Sequence, residues 1–269
     1  HGLFFLATLI GVLVLAVLII DTFRDGWRHL DWQFLSNFAS RRSEKAGILA
    51  ALAGTLWVIG LTIPLVLVIG VATAIFLEEY QGQNRWVRFI QLNINNLAGV
   101  PSIIYGILGL AIFVRFFQLG YVVLAATLTM TLLILPIVIV AAQEAIRSVP
   151  PSLRQASLAL GATKWQTISR VVLPAALPGI LTGFILALSR AIGETAPLIM
   201  VGAVTYIRNV PQGLMDSYTV LPIQIYSWVT LPNAAFHELA AAAILVLLAV
   251  LIVMNAIAIY IRNRFQNRY

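Results

Sequence analysis

The stretch LAAAAILVLLAVLIVMNAIAIYI, at positions 239–261, contains no charged residue and ends where a basic tail begins at Arg262. A bilayer-spanning α-helix needs about 20 consecutive apolar residues, so this run is long enough to cross a membrane. Lipid offers no water to backbone groups, and only helices and closed barrels can span it. A barrel would need short strands of alternating polarity. The unbroken run therefore predicts a transmembrane helix.

The composition of the whole chain supports this interpretation. Of 269 residues, 61% are hydrophobic and 10% are charged, whereas soluble domains are about 45–50% apolar and about 25% charged. The net charge of +7 fits Lys and Arg residues that hold cytoplasmic loops in place, and no nucleic-acid binding is expected. The chain has no cysteine, which excludes disulfides and thiolate chemistry. These features predict a multi-pass membrane protein.

Five more apolar runs predict five more spans, so both termini lie on one side of the membrane. The predicted spans are 2–20, 47–77, 97–117, 121–142, 175–204 and 239–261. Basic residues in the tail and between spans four and five favour the cytoplasm for both termini. The fold class is thus an all-α membrane protein with six transmembrane helices. Residues 1–46 hold the first helix and an extracytoplasmic amphipathic segment, and 47–269 hold the transmembrane domain.

Two polar segments with spaced aromatic residues, 21–45 and 81–96, are expected at the membrane surface. Trp and Tyr concentrate at the headgroup level because their rings are amphipathic. The aromatic residues of the first segment are Trp27, Trp32, Phe34 and Phe38. The third span opens with Gly99 and Pro101. These two residues are either packing devices or the sign of a locally unwound stretch.

The segment 143–174 predicts two short helices joined by a tight turn. Residues 153–160 carry apolar side chains at helical spacing, and Gly161 is typical of a helix C-terminus. Residues 163–172 predict a second amphipathic stretch, and Pro174 marks the entry to span five. Such a helix–Gly–helix elbow offers a shape that a groove on a partner protein can bind.

Two charged residues, Arg190 and Glu194, stand in the apolar run 175–204, four positions apart and so on one helix face. A charge at the bilayer centre costs about 2.5–3.5 kcal/mol, so such residues face a bundle interior or water. Two interpretations are open: an ion pair that fixes packing, or a translocation path in which Arg190 meets an anion. Arginine donates two parallel hydrogen bonds to an oxyanion. Ser189 and Thr195 flank the pair and join the candidate path, although such hydroxyls often bond to carbonyls of their own helix.

Small residues recur at every fourth position of the same run, which favours close helix packing in lipid. They are Gly179, Gly183, Ala187 and Ala191.

The elbow resembles the cytoplasmic motif of ABC importer permeases, which reads Glu-Ala-Ala, three residues, Gly, nine residues, then Ile-x-Leu-Pro. This chain has Gln155-Ala156-Ser157, three residues, Gly161, nine residues, then Val171-Val172-Leu173-Pro174. The spacing is kept, with Gln in place of the acidic residue and Ser in place of the second Ala. The resemblance implies a type I (MetI-like) permease fold whose elbow is a coupling helix that docks on an ATPase.

Three further segments resemble the permeases of phosphate-specific (Pst) importers, and the PstA type more than its PstC partner. They are Asn96–Gly106, Ser189–Leu198 and Leu221–Trp228. The resemblance implies a permease subunit of an ATP-driven phosphate importer in the bacterial plasma (inner) membrane. Its expected partners are a PstC-type permease in a heterodimer, an ATPase dimer and an extracytoplasmic phosphate-binding protein. The expected coupling residues are Gln155, Ala156, Ser157, Gly161, Leu173 and Pro174, and the expected path residues are Arg190, Glu194, Ser189 and Thr195.

Absent motifs narrow the function further. The chain has no G-x-x-x-x-G-K-[ST] loop, so ATP and Mg²⁺ are expected on the partner ATPase, with no cofactor on this chain. Its three histidines are scattered, and no metal site or catalytic residue is expected. Two other functional classes are alternatives. A secondary transporter often shows inverted repeats, and an intramembrane enzyme needs a nucleophile–base pair or a metal site. Another oxyanion, such as sulfate or molybdate, stays an alternative because one arginine does not distinguish tetrahedral anions.

Overall fold

The computed structural model describes residues 2–80, 84–203 and 206–266, and the regular secondary structure within these ranges is helical. The helices are α1 Gly2–Gly26, α2 Trp32–Ser36, α3 Leu49–Ile75, α4 Arg85–Ala98, α5 Ser102–Gly109, α6 Val123–Arg147, α7 Pro151–Ala159, α8 Lys164–Thr167, α9 Leu173–Ile192, α10 Ala196–Met200, α11 Leu221–Val229 and α12 Ala234–Gln266. Three π-helical turns follow α3, α5 and α8, at Phe76–Tyr80, Leu110–Phe116 and Ile168–Val172. Of the predicted segments, residues 81–83, Val204 and the end of the tail lie outside the described residues.

Five continuous helical stretches among the described residues are long and apolar enough to cross a bilayer. They are Phe4–His29, Leu49–Tyr80, Val123–Arg147, Lys164–Ile192 and Ala234–Arg264. A sixth crossing requires α4 to be counted with Ser102–Phe116, and this pair is bent by 107°. The predicted all-α membrane fold is confirmed, with five continuous candidate crossings and this bent pair.

The break between α4 and α5 follows from Gly99 and Pro101. Pro101 has no N–H and disfavours a helical conformation in the residue before it, so α4 cannot continue through this point. The hydroxyl of Tyr105 donates to the carbonyl of Leu97 at 2.8 Å, which satisfies one of the carbonyls left free at the end of α4. The interruption that the sequence offered as one of two interpretations is therefore present.

The chain forms two compact units, residues 1–56 with 203–250 and residues 57–202 with 251–269. The boundary predicted between residues 46 and 47 divides the sequence into two regions, not into these compact units, and it stays a prediction.

The aromatic core of the first unit contains Phe34, which is 3% exposed. Its ring centroid lies 6.1 Å from that of Trp228, which lies 6.3 Å from that of Phe236. Phe34 therefore packs inside this unit, and the expected headgroup level of the segment 21–45 stays a prediction. The phenyl ring of Phe34 has no polar group. Asp31 accepts a hydrogen bond from the Phe34 amide at 2.7 Å and so caps α2, which helps to fix the orientation of that helix. Trp32 of the same segment is 80% exposed.

The second unit is built around α6 and α9, which pack through small residues. A Cβ added at Gly179 would lie 2.9 Å from the Cβ of Ala145. Ala187 and Ala191 are 2% and 1% exposed. Close approach of the two backbones requires residues without bulk, so the predicted packing role is confirmed within this chain.

The bounds predicted for span five are wrong. α8, its π-helical turn and α9 form one continuous stretch, Lys164–Ile192, so residues 163–172 are not a separate surface helix. Pro174 lies in the first turn of α9, just after the π-helical turn. There its missing N–H does not end the helix. The helix ends at Ile192 and the chain continues through a non-helical stretch into α10, so Glu194 lies beyond the helix rather than within a span.

Candidate functional site

The elbow begins with α7, whose start and end are set by Pro and Gly. Pro151 occupies the first turn, where a missing N–H costs little. At the other end, Gly161 has φ +82° and its N–H donates to Leu158 O at 3.0 Å, while the N–H of Ala162 donates to Ser157 O at 3.2 Å. These two bonds form a Schellman motif, which requires a left-handed residue at this position.

The second arm of the elbow begins at Thr163, which forms a capping box with Gln166. The two arms are joined by a 2.9 Å hydrogen bond between the hydroxyls of Ser157 and Thr167. This bond connects α7 to α8 and restrains the angle of the elbow.

The six predicted coupling residues do not form one cluster. Gln155, Ala156 and Gly161 are exposed on α7 and its end, whereas Ser157 faces the second arm. The remaining two, Leu173 and Pro174, are half-buried in the first turn of α9. The exposed apolar surface of α7 ends in Leu160, which is 89% exposed. Of the six residues, the exposed ones therefore lie on α7 and its Gly turn, and the Leu-Pro pair belongs to the helix that α8 continues into.

Two ion pairs that the sequence analysis missed attach the elbow region to the end of α3. Arg154 on α7 donates through Nε to Glu79 Oε1 at 3.0 Å. Arg147 at the end of α6 donates to both carboxylate oxygens of Glu78, at 2.8 and 2.7 Å. The sequence places two adjacent acidic residues just after predicted span two and two arginines after predicted span four. Both spans end on the same side of the membrane, so this pattern was the available signal for the two pairs.

A buried amide continues this polar network. Gln143 on α6 is 2% exposed and donates to Glu78 at 2.8 Å. It also pairs with the side-chain amide of Gln91 on α4, at 2.7 Å. α4 is thereby attached to α6 near the elbow.

The predicted charge pair is formed. Nε of Arg190 lies 3.2 Å from Oε1 of Glu194. The Arg190 side chain is 51% exposed and that of Glu194 is 14% exposed. Arg190 occupies the last turn of α9, where a cation interacts favourably with the helix dipole. Among the described residues, Nη1 and Nη2 of Arg190 have no hydrogen-bond partner, so two donors remain available.

Each of the two hydroxyl residues beside this pair lies within hydrogen-bond distance of a backbone carbonyl, and Ser189 also contacts a side chain. Ser189 Oγ lies 2.8 Å from Ile185 O and 3.0 Å from Asn255 Oδ1, and Thr195 Oγ1 lies 3.4 Å from Gly193 O. Asn255 on α12 was not selected from the sequence. Its signal was an amide inside an otherwise apolar run.

Two of the three family-like segments meet in the second unit. A Cβ added at Gly106 on α5 would lie 2.7 Å from the Cα of Pro197 and 2.9 Å from the Cβ of Met200. The absence of a side chain at Gly106 therefore allows α5 to approach α10, which directly follows the Arg190–Glu194 pair.

Residues 66–267 match the family model described as "Binding-protein-dependent transport system inner membrane component". The chain belongs to this permease family. The match spans α4 to α12, and so includes both the elbow and the charge pair.

The permease is similar to proteins with more specific names. It is 35% identical over 241 residues to the phosphate transport system permease protein PstA 1 of Mycobacterium tuberculosis H37Rv, covering 89% of this chain and 76% of that protein. It is 30% identical over 270 residues to the phosphate transport system permease protein PstA of Haemophilus influenzae, covering 99% and 93%.

A solved structure of the MetNI methionine ABC transporter, in an inward-facing conformation, shares the fold of the permease. The TM-score is 0.65 at 20% identity, with 81% of this chain and 97% of that chain covered. The type I (MetI-like) fold that the elbow predicted is confirmed.

Proposed function

We propose that this permease is the PstA-type subunit of an ATP-driven phosphate importer in the bacterial inner membrane. The assignment of phosphate as the substrate rests on the similarity to two proteins named as phosphate transport permeases, over 76% and 93% of their lengths. Both termini are cytoplasmic in this proposal, since the elbow must meet a cytoplasmic ATPase.

Arg190 contacts the passing anion. Its Nε is used by Glu194, and the Nη groups, free within the described chain, can donate in parallel to two oxygens of one phosphate. Glu194 holds the guanidinium and, as a nearby negative charge, weakens retention of the anion, which release requires. Because Ser189 and Thr195 bond to backbone carbonyls, they fix the local geometry of the path.

The exposed surface of α7 docks on a dimeric ATPase that binds ATP and Mg²⁺. This chain binds no cofactor. A PstC-type permease supplies the other half of the path in a heterodimer, and an extracytoplasmic phosphate-binding protein delivers the substrate. The Schellman turn at Gly161 and the Ser157–Thr167 bond support this role, because they make the elbow a defined shape rather than a loose loop.

The test is phosphate-stimulated ATP hydrolysis by the assembled complex in lipid vesicles. The permease is reconstituted with the second permease, the ATPase and the phosphate-binding protein. Parallel reactions use sulfate and molybdate with their own binding proteins. Stimulation with phosphate alone is expected. Stimulation with sulfate or molybdate instead would overturn the substrate, and no stimulation in an assembled complex would overturn the coupled mechanism.

A further inference from the structure

We propose that Glu79 and Arg154 form the joint through which movement of the elbow reaches α3. Arg154 is a positioning residue, distinct from the surface that meets the ATPase. The inference rests on the proposed function, since it assigns the route by which the elbow acts on the membrane helices.

The guanidinium of Arg154 contacts the ends of both α3 and α6. Nε and Nη2 both lie 3.0 Å from Glu79 Oε1. Nη2 also donates to Ile146 O at 2.8 Å, and Nη1 donates to Val149 O. Ile146 lies in the last turn of α6 and Val149 follows the C-cap of that helix, so the guanidinium caps the end of α6 while it pairs with an acid at the end of α3.

Partial burial makes the loss of one partner of this ion pair more costly than in a surface pair. The side chains of Arg154 and Glu79 are 23% and 12% exposed, whereas exposed pairs contribute little because water screens them. Breaking a covered pair leaves one charge without compensation. The contact is therefore expected to persist while α7 moves.

The π-helical turn at Phe76–Tyr80 carries the two adjacent acids to different partners. Glu78 pairs with Arg147 at the end of α6, and Glu79 pairs with α7. π-Helical turns inside helices occur frequently at functional sites. Here the turn holds the end of α3 between a transmembrane helix and the elbow.

The second arm of the elbow contacts the same turn. Nζ of Lys164 lies 5.1 Å from the ring centroid of Tyr80, a distance typical of a cation–π interaction. Both arms thus contact the five residues that end α3. Because α3 is continuous from Leu49 to the turn, a displacement of the elbow is carried into the helix.

The test compares Glu79→Gln, which keeps the shape and removes the charge, with Glu79→Asp, which keeps the charge. The assembled complex in vesicles is assayed for phosphate transported and for ATP hydrolysed. In Glu79→Gln the phosphate transported per ATP is expected to fall about tenfold, a factor that corresponds to the free energy of one hydrogen bond to a charged group. Hydrolysis should continue, and Glu79→Asp should recover at least part of the ratio.

Glu144→Gln is the matched control. Glu144 also contacts an arginine, at 3.5 Å from Arg147, but its side chain is 68% exposed, so an unchanged ratio is expected. A ratio in Glu79→Gln equal to wild type would overturn the joint. A parallel fall of transport and hydrolysis in both Glu79 variants would also overturn it, because that result indicates a structural role alone.

A second readout does not depend on transport. In the isolated permease in lipid, trypsin should cleave after the exposed Lys164 several-fold faster in Glu79→Gln than in wild type or Glu144→Gln. Equal cleavage rates would overturn the joint even if the complex transports another solute. Absence of phosphate stimulation in the wild-type complex, with faster cleavage in Glu79→Gln, would reject the proposed function and retain the attachment.

Discussion

Gly183 on α9 lies so close to Ala141 on α6 that an added Cβ would overlap the Cβ of Ala141. We therefore expect Gly183→Ala to separate the two helices and to lower the stability of the permease by about 1–3 kcal/mol, the usual cost of overpacking. Thermal unfolding in a defined detergent measures the effect. Gly60→Ala is the control, since nothing lies within 4 Å of a Cβ there. Equal melting temperatures for the two variants would contradict the packing.

Arg190→Ala is expected to reduce phosphate uptake about 10- to 100-fold, a factor that corresponds to the free energy of one hydrogen bond to a charged group. The variant complex should still assemble. Arg190→Lys should also be impaired, because an ammonium group keeps the charge but loses the planar fork. Uptake of labelled phosphate into vesicles, at equal amounts of assembled complex, measures both. Arg115→Ala, which removes an exposed arginine at the end of Leu110–Phe116, should transport normally. Uptake by Arg190→Ala at the level of this control would exclude the role.

Features set by neighbours in the chain could be predicted from the sequence. The turn at Gly161 follows from the conformational freedom of glycine after an amphipathic helix. Contact between Arg190 and Glu194 follows from a spacing of four residues, and it persists although the helix ends at Ile192. The spans follow from uninterrupted apolar length.

Features set by distant residues could not be predicted in the same way. Glu79 and Arg154 are 75 positions apart, and their pairing depends on how α3 and α7 are placed by the fold. The continuous helix through Pro174 was missed because proline usually marks a boundary, whereas here it follows a π-helical turn within one continuous helical stretch. Phe34 lies in a segment with an interfacial composition, and that composition could not predict the packing of its ring against Trp228.

Gly161→Pro is expected to uncouple ATP hydrolysis from transport. Proline fixes φ near −65° and has no N–H, so it can neither adopt the observed φ of +82° nor donate to Leu158. Gly161→Asn is the control, because asparagine tolerates the left-handed region. Phosphate transported per ATP should fall in the proline variant and remain near wild type in the asparagine variant. An unchanged ratio in Gly161→Pro would show that the elbow needs no defined turn.

The bond between Ser189 and Asn255 should be measurable as a coupling between α9 and α12. A single hydroxyl proton serves one acceptor at a time, and Ser189 has two within 3.0 Å. Interhelical hydrogen bonds in membranes contribute about 0.6 kcal/mol on average, so a double-mutant cycle of Ser189→Ala and Asn255→Ala should give a coupling energy of about that size. Thr182, which bonds to Pro178 O on the same helix, supplies the control cycle with Asn255, where no coupling is expected. Equal coupling in both cycles would mean that Asn255 acts on α9 as a whole and not through Ser189.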